Sequence, residues 1–228
     1  MNRTKRKAAQ GELPYRSWGG VRQGAGRKPV GERAGVSHRA RAPLASRHPV
    51  HVTVRVKQGL PGLRNRRVYG ALRGAFAAGC DRFGFRLVHY SVQRDHLHFM
   101  VEAKERRALS RGVQGLLIRI AKALNRLWGR KGSVFADRYH SRQLRTPREV
   151  RSALAYVLNN ARRHGLRLAQ AVDLFSSGCW FDGWRENLRV RGLTSVPRPT
   201  ADARTWLLER GWRSRGLIGL GEVPAGRQ

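Results

Sequence analysis

Two stretches of the sequence hold side chains whose types and spacing could do chemistry. In SVQRDHLHFMVEA (91–103), Leu97, Phe99, Val101 and Ala103 alternate with His96, His98, Met100 and Glu102. A period of two is that of a strand with one face in a core. The two imidazoles then project side by side from the other face, where neutral rings could hold a metal ion. The plain alternative is a strand whose exposed face happens to carry two histidines. The second stretch is PREVRSALAYVLNNARRH (147–164). At about 100° per residue, Val150, Leu154, Val157, Leu158 and Ala161 gather on one helix face, and Tyr156 falls roughly 145° from its centre. Asn160 is one turn beyond Tyr156, on the same side. A tyrosine so placed is either a nucleophile with an amide in reach of a metal, or an exposed ring packed on a neighbouring segment.

Together these parts would permit a particular reaction. A phenol that attacks a DNA phosphodiester forms a phosphotyrosine link and frees the other sugar hydroxyl, splitting one displacement into two. The link conserves bond energy, so the strand can be rejoined elsewhere. Phenol has a pKa of about 10 and needs help at neutral pH. A divalent metal on two imidazoles and one amide would polarise the phosphate, and a basic surface would hold the flanking strand.

Composition agrees with a polyanionic partner. The 228 residues carry 47 Lys+Arg against 14 Asp+Glu, a formal charge of +33. Nucleic acid is the leading partner, because dense phosphate rewards Lys and Arg through counterion release. No apolar run approaches the roughly 18 residues of a spanning helix. The start, MNRTKRKAAQGELPYRSW, has a basic region with no apolar core after it, unlike a signal peptide. The chain is therefore expected to be cytoplasmic and nucleoid-associated, with no membrane partner. Cys80 and Cys179 lack metal-ligand spacing and read as incidental thiols in a reducing compartment.

The elements that must position these residues follow from periodicity. Residues 1–48 read as a flexible basic arm, broken by Gly, Pro and Ser; Arg27 and Lys28 in GGVRQGAGRKP are candidate nucleic-acid contacts. Its rival reading is a merely solvated tail. PVHVTVRV reads as a strand, with Val50, Val52, Val54 and Val56 on one face. A helix through Leu63, Val68, Leu72 and Phe76 follows, then the strand FRLVHYSVQ. Arg94-Asp95 is a short connection into the histidine strand, so these two strands form a hairpin. ALSRGVQGLLIRIAKALNRLWG is a helix with an apolar stripe from Leu109 to Leu127, and Arg111, Arg119, Lys122 and Arg126 lie along another face. That basic stripe is a solvated surface or a phosphate-binding one. RKGSVFADRYHSRQL reads as a hairpin or ordered loop carrying Arg138 and Arg142. Thr146, Pro147 and Glu149 form a capping box for the tyrosine helix, and Gly165 stands where its C-terminal cap falls. Beyond residue 165, Trp180, Trp184, Trp206 and Trp212 read as a C-terminal extension of short helices (166–228), with a small satellite core favoured over base stacking. The order of elements predicts an α+β fold with helices on one face of an antiparallel sheet and the other face bare.

The residues also carry a resemblance. DHLHF resembles the His-hydrophobe-His motif of HUH endonucleases. AYVLNNARRHG is similar to the tyrosine-helix motif of single-tyrosine transposases, and VFADRYHSRQL to the segment that precedes it in them. Three motifs in order resemble the REP-associated tyrosine transposases over about Pro49 to Gly165, so 49–165 is read as the HUH single-tyrosine domain. The resemblance implies a ferredoxin-like (RRM-like) fold and metal-dependent nicking and joining of single-stranded DNA at hairpin or palindromic repeats, through a 5′-phosphotyrosine. It implies Mg²⁺ or Mn²⁺ on His96, His98 and Asn160, with Tyr156 as nucleophile, in a monomer or a homodimer. The family's motif has a proline after the asparagine, where this chain has Ala161; Asn159 beside Asn160 leaves the ligand choice open. The alternative is a domesticated protein of the same fold that binds nucleic acid without cutting it. HVTV (51–54) resembles one motif of 2H phosphodiesterases, but that chemistry needs a second copy and HLHF lacks its Ser or Thr.

Overall fold

A computed structural model describes residues 43–163, 165, 166, 168, 170–186 and 197–222. Arg27, Lys28 and nearly all of the expected arm lie outside the described residues. Five antiparallel strands form one sheet in the order β2-β3-β4-β1-β5. They are β1 (Val50–Arg55), β2 (Asp81–Arg82), β3 (Phe85–Val92), β4 (His96–Ala103) and β5 (His140–Gln143). Helix α1 (Arg66–Gly79) follows β1 and α2 (Arg106–Leu127) follows β4. This is the ferredoxin-like α+β arrangement that the order of elements implied.

The alternation of β1 and β4 sets which residues are inside. Val50, Val52 and Val54 pack with Leu97, Phe99, Val101 and Ala103 under α1 and α2. The stripe Leu109, Val113, Leu116, Ile120 and Leu124 of α2 is buried there too. An added Cβ at Gly112 would meet the Phe85 ring at 2.1 Å, so α2 reaches β3 only because that side chain is missing. β3 and β4 form the expected hairpin, with Val92 opposite Leu97. The basic segment after α2 provides β5, an edge strand beside β1 that places Arg142 opposite His51.

The other face of the sheet was expected to be bare and is partly covered. Helix α3 (Pro147–Leu158) lies over Val88 and Met100, with Val150, Leu154, Val157 and Leu158 buried between. Its N-terminus is capped as expected: Pro147 is in the first turn and Thr146 Oγ1 accepts from the Glu149 N–H. Glu149 reaches back to the Arg145 N–H at 2.7 Å. The helix does not run unbroken to His164. It ends at Leu158, Asn159 departs from helical geometry (φ −101°, ψ 13°), and a short α4 (Asn160–Arg163) follows. Gly165, at φ +72°, donates its N–H to the Arg162 carbonyl and closes that turn.

The C-terminal extension does contain short helical pieces, namely α5 (Trp206–Glu209) and 3₁₀ turns at Ser177–Trp180 and Gly211–Arg215. It is not a separate satellite: Trp184, Trp212, Leu207, Leu208 and Ile218 share one core with α3. Glu102, on β4, anchors it. That buried carboxylate pairs with Arg86 at 2.8 Å and accepts from the backbone N–H groups of Arg204 and Thr205 and from Thr205 Oγ1. The polar face of β4 therefore buries a carboxylate whose hydrogen bonds seat a second layer.

Candidate active site

The remaining part of that face gathers the histidines and the tyrosine. Thr53 stands opposite His98 and Arg55 opposite His96 in the β1–β4 register. The imidazoles of His96 and His98 lie edge to face with centroids 4.8 Å apart. Tyr156, half-buried on α3, sets its ring edge-on to His98 at 5.2 Å and to His51 at 5.7 Å. The helix geometry that turned Tyr156 away from the apolar stripe thus turns it toward the histidines. The Arg163 guanidinium sits 5.2 Å from the Tyr156 ring centroid, where a cation favours a growing phenolate charge.

Hydrogen bonds set the tautomers of both rings. His96 Nδ1 is 2.7 Å from Asp95 Oδ1. The bond holds the Asp95 carboxyl below its ordinary range, and a carboxylate partner keeps the proton on Nδ1 and the lone pair on Nε2. His98 Nδ1 is 3.1 Å from Thr53 Oγ1 and 3.2 Å from His51 Nε2. Both neighbours can accept its N–H, which again directs the Nε2 lone pair outward as a donor to a cation. His51 itself is held neutral. Burial, then the charges of Arg142 and His140, lower its pKa to about 4.

The two adjacent asparagines have different surroundings. Asn159 Nδ2 donates to the carbonyls of Gly219 and Glu222, so its amide ties down the C-terminal chain. Asn160 is fully buried, yet among the described residues neither its Oδ1 nor its Nδ2 has a hydrogen-bond partner. A buried amide with nothing to bond is uncommon, and an ion is one of the usual reasons. No three His, Cys, Asp or Glu side chains among the described residues form a group that could hold a metal. Two imidazoles with an amide oxygen as third donor are a set that suits a divalent cation completed by water or substrate.

The structure brings together His96, His98 and Tyr156, and places Arg142 on the neighbouring strand. It does not bring the α2 arginines there. Arg111, Lys122 and Arg126 are exposed and Arg119 is half-buried, all on a helix that packs on the opposite face of the sheet. Arg138 is exposed and lines a groove between α2 and the chain before β5. Thr53, Asp95 and Arg163 had no signal of their own in the sequence, since each acquires its role from a neighbour across strands or helices. His51 had one, its place on the polar side of an alternating strand, but only the register joins it to His98.

Fold and site together define a class: a ferredoxin-like domain with a histidine pair on its sheet and a tyrosine on the helix laid across it. Residues 45–160, half of the chain, match the family model described as "Transposase IS200 like". The chain belongs to this family of transposases, which in general cut and join DNA and depend on a divalent metal. No curated protein matches it. Among solved structures it is similar to one titled "Structure of the REP associates tyrosine transposase bound to a REP hairpin". The likeness has a TM-score of 0.50 at 19% identity and covers 62% of this chain and 82% of that one. At that identity the match is one of fold. Among the described residues, no helix is long and apolar enough to cross a membrane.

Proposed function

We propose that the protein nicks and rejoins single-stranded DNA at hairpin or palindromic repeat sequences, with Tyr156 as nucleophile. The observation that carries this reading is the Tyr156 ring set against His98 and His51 in a chain of the transposase family. The Tyr156 oxygen forms a bond to phosphorus, the 3′ oxygen leaves as a hydroxyl, and the 5′ phosphate stays on the protein. The phenolic proton is lost as the bond forms, and Arg163 offsets the charge of the phenolate. His96, His98 and Asn160 would hold Mg²⁺ or Mn²⁺, which supplies charge stabilisation at the scissile phosphate when bound. Asp95, Thr53 and His51 orient the two imidazoles for that task. Arg142, exposed beside the site on β5, is suited to the flanking phosphates, while Arg27, Lys28 and Arg138 serve the wider basic surface. The similarity in fold to a transposase whose title names a bound REP hairpin supports hairpin DNA as the substrate.

The test is an adduct assay with end-labelled single-stranded hairpin oligonucleotides, run with Mg²⁺, with Mn²⁺ and with chelator. The expected result is a covalent protein–DNA adduct on a denaturing gel that needs metal and is absent in Tyr156→Phe. An adduct that survives in Tyr156→Phe overturns the assignment of the nucleophile. DNA binding with no adduct under any metal would turn the reading to a domesticated binding protein.

A further inference from the structure

The turn between β2 and β3 holds a residue that folding does not account for. Arg82 pairs with Phe85, so Phe83 and Gly84 form a two-residue loop, with φ of +52° and +78°. A loop with both residues at positive φ is normally Asn-Gly or Asp-Gly, because a bulky side chain is strained there. Phe83 occupies the strained position with 93% of its surface exposed, so burial does not offset the strain. Strain that packing leaves unexplained points to function. Phe83 also borders a groove of about 560 Å³ lined by Arg82, Arg107, Arg111 and Arg119, against one carboxylate, Glu105. The groove lies beside α2, on the opposite side of the sheet from Tyr156.

We propose that this groove is a second nucleic-acid site, in which Phe83 stacks an unpaired base and the arginines hold the flanking phosphates. An exposed aromatic ring takes any base by its π-face. Guanidinium forks match phosphate oxygens in pairs. Neither interaction involves a metal or a tyrosine nucleophile, so the site is independent of the cleavage chemistry.

The experiment measures binding by fluorescence anisotropy in the Tyr156→Phe protein with chelator present, which separates it from any test of nicking. The probes are oligothymidylate, a DNA hairpin with a thymine loop, and the same stem closed by a non-nucleotide linker. Phe83→Asn is the informative variant, because asparagine suits the turn better than phenylalanine and the melting temperature should hold or rise. It should bind at least one of the two probes with unpaired bases about tenfold more weakly, and the closed stem nearly as before. Loss on both probes with unpaired bases assigns the groove to any single strand; loss on the looped hairpin alone assigns it to a hairpin loop. Arg111→Gln should reduce the slope of log affinity against log salt by about one. Unchanged affinity of Phe83→Asn for both probes with unpaired bases overturns the proposal. Equal weakening on the closed stem also overturns it and turns the assignment to duplex phosphates.

Discussion

The two faces of the sheet are built on opposite terms. Under α1 and α2 every inward side chain of β1 and β4 is apolar and buried. On the other face His51, Thr53, His96, His98, Met100 and Glu102 share the surface, with α3 and the C-terminal chain laid over part of it. The first face gains stability by removing apolar area from water. The second face keeps buried polar groups and spends hydrogen bonds on orienting rings. One sheet thus separates the part that folds the protein from the part suited to act, and the difference between them can be measured.

The largest effect belongs to the apolar face. Phe99→Ala should destabilise the protein by about 3–5 kcal/mol in chemical denaturation, through the cavity left under α1. Tyr156→Phe, on the other face, should leave stability within about 0.5 kcal/mol while removing the adduct. If both substitutions lowered stability alike, the division between the faces would be wrong.

Acid should act through the mixed face. His89 is buried beside Phe181 and Ser177, and burial, then Arg198, lowers its pKa to about 3. Because the folded-state value lies below the unfolded value near 6.5, the unfolded chain binds the extra proton between those limits. Stability is then fully present above pH 6.5 and falls as pH drops toward 3, by up to about 4 kcal/mol from this group. Melting curves from pH 7 to pH 4 should show the decline, and His89→Gln should flatten it.

The adjacent asparagines make a finer comparison within the mixed face. Asn159→Ala removes the partner of two C-terminal carbonyls and should cost about 1–3 kcal/mol. Asn160→Ala removes a buried amide that bonds to nothing in the described chain, so stability should hold or rise slightly. Its loss should appear instead in Mn²⁺ affinity, read by calorimetry. Equal stability effects from the two variants would mean that Asn160 is a structural residue like its neighbour.

Much of this was legible in the residues. The alternation in β1 and β4 identified the apolar face, because a strand's side chains alternate whatever surrounds it. The spacing on α3 turned Tyr156 off the apolar stripe, and the motifs DHLHF and AYVLNNARRHG carried the likeness to the transposases that the family match bears out. The break at Asn159 was not legible, since nothing local stops a helix there; the bonds from Asn159 to the C-terminal chain hold the turn. Nor was the fate of the tryptophans, which pack on α3 through contacts more than twenty residues distant in sequence. What the sequence by itself determined is the set of elements and the side each residue faces, because these depend on local geometry. What only the tertiary structure decided is which polar groups meet. The pairing of Thr53 and His51 with His98, and the isolation of Asn160 from any partner in the described chain, depend on strand register and helix placement, and those follow from packing across the whole domain.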